Sequence, residues 1–214
     1  MELERLPSGR HRLPREFIAR HQRERMMSAL VESMYEDGYE KTTVAAIANR
    51  ASVSKTDFYK QFESKDDCFV AVYDEAVARL REHVFAAGND YRDWTERICA
   101  AIRGLLEFLS DNPPLATLLL VEGFRSTPDV HHHFQAALGG LTTYLRDGAP
   151  LVANDSRPPE AIHEATVGGI ASLLTRHIKA GETERLTEFF PEIAEFALTP
   201  YVGPLEARRI ISAQ

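Results

Sequence analysis

The residues with the clearest chemistry in this chain are Lys55, Thr56, Tyr59, Lys60 and Gln61, which fall close together in the sequence. At helical spacing they share the outward side of a short helix, where they combine cations, hydroxyl groups and an amide with few carboxylates. Such groups bind phosphates and the edges of bases in the major groove. This face therefore predicts binding to duplex DNA.

The segment that must position this face, TTVAAIANRASVSKTDFYKQF (42–62), has the pattern of a helix-turn-helix. The motif needs a small residue where its helices cross, which is Ala48, and a tight turn, which falls at Ser52. A non-glycine residue with positive φ costs about 1 kcal/mol, so we expect a slightly strained turn. The inner faces are formed by Val44, Ile47 and Ala51 on the first helix and by Val53, Phe58 and Phe62 on the second.

Asp57 lies inside the second helix and has two interpretations. Its carboxylate accepts a hydrogen bond from a cytosine amino group, or Ser54-Lys55-Thr56-Asp57 forms a capping box with Ser54 as N-cap and Asp57 at N3. The capping interpretation is favoured, and the sequence leaves both open.

The run from Gly38 to Ala76 resembles the DNA-binding domain of the TetR family of bacterial transcriptional regulators. Six elements occur in the family's order: Gly38-Tyr39, Thr42-Thr43, Ile47-Ala48, Val53-Ser54, Phe58-Tyr59 with Phe62, and Ser64-Lys65. The turn departs from the family, which usually has Gly at the position of Ser52. The resemblance implies a sequence-specific DNA-binding transcriptional regulator, a repressor that a small-molecule ligand releases from a palindromic operator. The alternative is a helical ligand-binding or scaffold protein that does not read DNA specifically.

The expected DNA contacts extend from the outward face to the neighbouring helix starts. Lys65, in the first turn of the next helix, is well placed for a phosphate because backbone amides and the helix dipole add to its charge. The predicted contacts are Arg15, Thr42, Thr43, Ser54, Lys55, Thr56, Tyr59, Lys60, Gln61 and Lys65.

The net charge of −7 is unevenly distributed along the chain. Residues 1–66 carry 12 Lys and Arg against 11 Asp and Glu, whereas residues 67–214 carry 13 against 21. The acidity therefore belongs to the part that need not approach DNA. Arginines at 5, 10 and 12 form a basic arm that either follows DNA or is a solvated tail.

Capping and proline signals predict helices throughout the chain, and no stretch shows sustained strand alternation. We expect an all-α protein with a flexible basic N-terminal arm at 1–14, a three-helix helix-turn-helix DNA-binding domain at 15–63, and a helical ligand-binding and dimerisation domain at 64–214. Asp90 is expected to cap a helix that ends near Ser110. Pro191 is expected to interrupt or bend the last helix.

Helices after residue 159 combine small residues, which allow close helix approach, with more apolar surface than one helical pair needs. In TetR-like proteins the last two helices form a dimer interface, so the resemblance implies a homodimer. The predicted interface residues are Ile162, Ala165, Gly169, Ile170, Leu173, Leu174, Phe189, Ile193 and Phe196.

The resemblance also implies a pocket for a small-molecule effector between the helices of residues 90–180. Its expected lining combines apolar bulk with few polar anchors. The candidates are Trp94, Ile98, Phe108, Glu122, Phe124, Phe134, Leu138, Tyr144, His163 and Thr166.

The sequence predicts no enzyme, no catalytic residues, no cofactor and no metal site. It lacks a GxGxxG run, a phosphate-binding loop and an HExxH pair. His131-His132-His133 does not converge on one ion because successive helical side chains point about 100° apart. With neither an export signal nor a long apolar run, the expected location is the cytoplasm, away from membranes.

Overall fold

A computed structural model describes residues 14–123, 128–150 and 157–213, without the side chains of Arg15, Pro128 and Asp129. Within these ranges all regular elements are helical, as the sequence predicts. The N-terminal part contains four helices: α1 (Arg15–Asp37), α2 (Val44–Arg50), α3 (Lys55–Gln61) and α4 (Lys65–Gly88). The expected basic arm precedes the described residues.

The rest of the chain continues with α5 (Trp94–Asp111), α6 (Pro113–Thr117) and a π-helical turn (Leu118–Glu122). The next two helices are α7 (Pro128–Arg146) and α8 (Glu160–Lys179). A 3-10 segment (Thr183–Phe189) then leads into α9 (Phe190–Val202) and α10 (Pro204–Ser212).

Side-chain caps fix the starts of the helices that carry and support the outward face. Thr43 accepts a hydrogen bond from the Ala46 amide at the start of α2, and Ser64 caps α4 in the same way. These bonds satisfy amides that have no partner inside the helix. The expected cap at Asp90 is wrong: Asp93, three residues later, accepts from the first amides of α5.

The turn between α2 and α3 has the backbone that its sequence predicts. Ser52 has φ of 50°, the one positive value for a non-glycine residue among those described. The amide of Val53 donates to the carbonyl of Ala48 at 2.9 Å and closes the turn.

A buried core joins the three N-terminal helices. Ile47 of α2 and Phe58 of α3 are fully buried, as are Met26 and Leu30 on the inner side of α1. Since α1 contacts α2, α3 and α4, the outward face is held on a packed support. α4 follows α3 in the chain and packs along α5, which connects the N-terminal part to the remaining helices.

The helical segment expected from near Thr183 is interrupted at Pro191. The 3-10 segment ends at Phe189, and Pro191 lies in the first turn of α9, where a missing amide costs little. Gly203, with φ of 80°, separates α9 from the short α10. In the described part of the chain, no helix is both long and apolar enough to cross a membrane.

Candidate functional site

The outward side of α3 presents Lys55, Thr56 and Tyr59 to solvent. Tyr59 is 57% exposed, although the adjacent Phe58 is fully buried and meets its ring edge-on at 5.6 Å between centroids. Phe58 anchors α3 in the core, while Tyr59 leaves its ring and hydroxyl accessible at the surface. The structure therefore brings these three predicted residues together on one accessible surface.

Asp57 belongs to the cap of α3. Its backbone amide donates to Ser54 Oγ at 3.0 Å, and Ser54 Oγ donates to Asp57 Oδ2 at 2.7 Å. Lys60 Nζ lies 2.7 Å from Asp57 Oδ1, and this bond, followed by that from Ser54, lowers the pKa of the Asp57 carboxyl. Ser54 as N-cap with Asp57 at N3 is the geometry that the capping interpretation requires, and it leaves Lys60 paired with a carboxylate.

The end of α3 is held by a residue that the list of expected contacts omits. Arg23 of α1 donates through Nη1 to the carbonyl of Gln61 at 2.9 Å, and its guanidinium lies 4.1 Å from the centroid of the Phe62 ring. Gln61 itself is half-buried. Arg23 is therefore a positioning residue that docks the end of α3 onto α1.

Thr42 does not have the environment expected of a phosphate ligand. Its side chain is 2% exposed, and its hydroxyl donates to the carbonyl of Gly38 at 2.9 Å. The prediction that Thr42 binds a phosphate is therefore wrong, because a buried hydroxyl engaged in the turn after α1 cannot reach a phosphate. Thr43 is exposed and keeps an accessible hydroxyl while it caps α2.

Lys65 also differs from its expected role. Its ammonium group donates to the carbonyls of Tyr39 and Thr42 at 2.8 and 3.0 Å and lies 3.8 Å from the centroid of the Tyr39 ring. Burial lowers the pKa of this group. Lys65 thus points back at the segment before α2, whereas a phosphate contact would require it to leave these acceptors. The side chain of Arg15, also an expected DNA contact, lies outside the described part.

An apolar cavity lies inside the remaining helices, with a volume of about 100 Å³. Three predicted residues line it: Ile98, Leu138 and Tyr144. The other lining residues are small or aliphatic: Leu80, Val84, Ala101, Ile102, Leu105, Leu109, Leu120, Leu141, Leu145, Val167, Ile170, Ala171, Leu174 and Ala197. The lining residues on α5 could have been found from the stripe of residues 98 to 109, which has helical apolar spacing.

Other predicted pocket residues have different surroundings and do not line this cavity. Trp94 donates from its indole nitrogen to the Leu145 carbonyl at 2.9 Å, and Phe108 packs on His83. His163 Nδ1 lies 2.8 Å from the hydroxyl of Tyr201. The same correction applies to Glu122, Phe134 and Thr166, and Phe124 lies outside the described residues.

The predicted dimer residues divide into two groups. Ala165 and Phe196 are exposed, and Ile162, Gly169, Leu173 and Phe189 are half-buried, so all six remain accessible on α8, the 3-10 segment and α9. Ile170, Leu174 and Ile193 are at most 8% exposed within the single chain. The prediction that these three residues form the dimer interface is wrong, because residues that fill the protomer's own core leave little surface for a partner.

A capped helix-turn-helix with a polar, cationic outward face, held on a helical bundle, defines a DNA-binding transcriptional regulator. Residues 27–72 match the family model described as bacterial regulatory proteins, tetR family. Residues 27–72 therefore form a DNA-binding domain of the TetR type.

Known proteins resemble this chain beyond the helix-turn-helix. The HTH-type transcriptional activator FasR of Mycolicibacterium smegmatis is 26% identical over 153 residues, which are 72% of this chain and 68% of that protein. The fatty acid degradation regulator FadR from Bacillus halodurans has the same fold, with a TM-score of 0.72, 18% identity and coverage of 85% of this chain and 95% of the other. FadR from Bacillus subtilis, solved in complex with stearoyl-CoA, has a TM-score of 0.70 and 17% identity, with 84% and 98% covered.

Proposed function

We propose that this protein is a homodimeric, sequence-specific regulator that represses transcription from a palindromic operator and is released by a fatty-acyl ligand. The observation that carries the DNA-reading role is the exposed surface of Lys55, Thr56 and Tyr59 on a capped helix. Lys55 and Thr56 are the leading groups for base edges, and Tyr59 and Thr43 hold phosphates. Lys60, Gln61 and Ser54 stand beside them as weaker contacts.

A dimer is supported by the accessible surface of α8 and α9. At Gly169 an added Cβ would lie 2.5 Å from Cζ of Phe196, so the glycine lets this aromatic ring lie directly against the backbone of α8. Phe196 is still 40% exposed there, and a partner helix would cover it. Two-fold symmetry would place two α3 helices about 34 Å apart, the spacing of successive major grooves.

The cavity supports the proposed class of ligand. Its lining is aliphatic apart from Tyr144, which suits a hydrocarbon chain with few polar groups. The stripe on α5 runs from residue 98 to residue 109, a rise of 11 steps or about 16 Å at 1.5 Å per residue, so the lining favours an elongated ligand. The names of the two Bacillus proteins point to fatty-acid metabolism, which agrees with that shape.

The first experiment is selection of bound sequences from random duplexes with the full chain at a stated salt concentration. The proposal expects a palindrome with half-sites about one helical turn apart. Stearoyl-CoA and stearate are then added to the selected duplex, and each is expected to lower its affinity. Recovery of no motif, with only salt-sensitive binding, would favour the alternative of a helical ligand-binding or scaffold protein.

The sign of regulation needs a separate measurement because the relative from M. smegmatis is named an activator. The selected duplex is placed over a reporter promoter, and the chain is supplied from a second plasmid. Lower reporter output that rises with added fatty acid is the result expected of a repressor. Higher output on supplying the chain would refute repression while leaving DNA recognition intact.

The dimer is tested by Phe196→Glu, which places a charge on the proposed interface. Sedimentation should show a dimer for the parent chain and a monomer for this variant. The matched control is Phe17→Glu on α1, since Phe17 is 38% exposed and distant from α9 in the sequence. A monomeric parent chain, or a Phe196→Glu dimer as stable as the parent, would remove this part of the proposal.

A further inference from the structure

The apolar cavity has a polar group at one end. Tyr144 of α7 lines the cavity, and every other lining side chain is aliphatic. The guanidinium of Arg97, the residue before the lining residue Ile98, lies 5.2 Å from the centroid of the Tyr144 ring. Tyr144 is therefore at the end where α5 begins, and the lining continues from there along α5 to Leu109.

The hydroxyl of Tyr144 is buried, and among the described residues it has no hydrogen-bond partner. A buried hydroxyl that bonds to nothing destabilises the folded chain, so its presence calls for a reason other than stability. Burial raises the pKa of this group, although the charge of Arg97 opposes the shift. The hydroxyl therefore keeps its proton at neutral pH and can donate to an acceptor.

Arg97 places a cation beside this hydroxyl. Its Nη2 donates to the carbonyl of Asp147, whose own carboxylate pairs with Arg146. Its Nε is buried and has no hydrogen-bond partner in the part of the chain that the structure describes. Arg97 therefore has a donor and a positive charge available for a ligand.

Two glycines leave room around this pair. An added Cβ at Gly88, the last residue of α4, would collide with Oη of Tyr144 and would lie 3.1 Å from Cγ of Arg97. The two side chains thus approach the same point of the α4 backbone. At Gly148 an added Cβ would lie 3.4 Å from Nη2 of Arg97, so the guanidinium lies against the turn after α7. Tyr144 and Arg97 form one polar patch at the end of the cavity.

The neighbouring buried polar groups are already paired. Trp94 donates to a carbonyl of α7 at 2.9 Å, and its ring packs on Tyr201, whose hydroxyl lies 2.8 Å from Nδ1 of His163. Tyr144 and Arg97 differ from these groups because each keeps an unused donor. A carboxylate has two oxygens and can accept from both donors at once.

We propose that Tyr144 and Arg97 hold the anionic head group of a hydrocarbon-chain effector, whose chain lies along α5 towards Leu109. The inference rests on the proposed function in treating the cavity as the effector site. One oxygen of the head group accepts from the Tyr144 hydroxyl and another from Nε of Arg97. The head group is the carboxylate of a free fatty acid or a phosphate of an acyl-CoA, which share this chemistry.

The test measures binding of dodecanoate, dodecanoyl-CoA and dodecan-1-ol to the full chain by calorimetry, without DNA. Arg97→Met removes the charge and keeps most of the bulk. It should weaken dodecanoate binding about 10- to 100-fold, as expected for a hydrogen bond between charged groups, and change binding of the neutral alcohol by less than about twofold. A loss confined to dodecanoyl-CoA would identify a phosphate as the head group. Arg92→Met, an equal charge change at an exposed position before α5, should leave all three affinities unchanged.

Tyr144→Phe removes only the hydroxyl and gives a second readout. It should weaken dodecanoate binding about tenfold, and it should raise the melting temperature of the ligand-free chain because no unpaired hydroxyl remains in the core. Tyr201→Phe is the matched control for stability. It removes a hydroxyl that is bonded to His163 and should lower the melting temperature. Tyr144→Phe also keeps the test decisive if Arg97→Met does not fold.

The inference is overturned if both variants bind dodecanoate and dodecanoyl-CoA like the parent chain, if they lose the alcohol equally, or if the parent chain binds none of the three. Duplex selection with the parent chain tests the proposed function separately. Binding that depends on the head group, without sequence-specific DNA recognition, would refute the regulator and keep the anchor. Specific DNA recognition, with an affinity for dodecanoate that neither variant changes, would do the reverse.

Discussion

Lys60 and Asp57 form an ion pair on the outward side of α3, with 2.7 Å between Lys60 Nζ and Asp57 Oδ1. Their side chains are 66% and 33% exposed, so the pair lies in the surface proposed to meet phosphates. A cation that is engaged by a carboxylate neutralises less phosphate charge. We therefore expect Lys60 to be a weaker phosphate ligand than its position alone suggests, and Asp57 to oppose DNA binding while it caps α3.

Asp57→Asn should release Lys60 and strengthen binding to every duplex. The slope of log affinity against log salt should become steeper by about two, as expected for one more phosphate contact from each protomer of the proposed dimer. The bond from the backbone amide of residue 57 to Ser54 Oγ does not need the carboxylate and should remain. Fluorescence anisotropy at several salt concentrations measures both quantities. Asp90→Asn, an equal charge change at an exposed position after α4, is the control, and an equal effect of both variants would show that net charge alone is responsible.

Tyr59→Ala and Lys55→Ala should have different consequences for recognition. Tyr59 is proposed to hold a phosphate, so its loss should weaken binding to selected and random duplexes alike. Lys55 is proposed to contact a base edge, so its loss should cost about 1–3 kcal/mol on the selected duplex and relax the preference at one base pair per half-site. Binding to a panel of single-base variants of the selected duplex separates the two. Equal losses on specific and random DNA for both variants would contradict the assignment.

Local rules were sufficient to predict the helix-turn-helix. Ser54 precedes α3 with Asp57 three residues later, which is a capping pattern, and Ser52 falls where two amphipathic helices must reverse direction. Both features depend on neighbours in sequence, so no tertiary information is needed. Asp90 shows the limit, since Asp93 is an equally good capping residue by sequence and is the one that caps α5.

The cavity and the direction of Lys65 could not be predicted in this way. Aromatic residues such as Trp94 and Phe108 resemble pocket residues in sequence, yet Trp94 donates to the Leu145 carbonyl and Phe108 packs on the exposed His83. The ammonium group of Lys65 donates to carbonyls 23 and 26 residues earlier in the chain, so tertiary contacts determine its direction. The sequence pattern of one helix shows which of its sides is apolar. It does not show which neighbouring element packs against that side.

Thr42→Val should lower stability without changing the salt dependence of DNA binding. Thr42 is buried and its hydroxyl satisfies the Gly38 carbonyl, so removal of that bond should cost about 1 kcal/mol. Thr43→Val is the matched variant. It should cost a similar amount through loss of the α2 cap and should also weaken DNA binding, because Thr43 is exposed. Urea unfolding and anisotropy report the two effects, and weaker DNA binding by correctly folded Thr42→Val would restore Thr42 as a DNA contact.

The bond between Glu36 of α1 and Arg50 of α2 should make the stability of the DNA-reading part depend on pH. Stability should be lower in acid. Arg50 Nη1 lies 2.9 Å from Glu36 Oε1, with a second, shorter bond from Nη2 to Oε2. The hydrogen bond from Arg50 holds the pKa of Glu36 below its ordinary value of 4.5. The unfolded chain therefore takes up this proton at a higher pH than the folded chain. The contribution is fully present above pH 4.5 and is lost as the pH falls through the folded pKa.

Glu36→Gln should remove this part of the pH dependence. Thermal unfolding from neutral pH down to about pH 3 should show a smaller fall in melting temperature for the variant than for the parent chain. At neutral pH the variant should be the less stable of the two, because the charged bond to Arg50 is weakened. Glu75→Gln, at an exposed position on α4, removes an equal charge outside this contact and is the control. Parallel melting curves for the parent and Glu36→Gln over the whole range would mean that the Glu36–Arg50 bond contributes nothing measurable, since a carboxyl with a lowered folded pKa must add acid sensitivity.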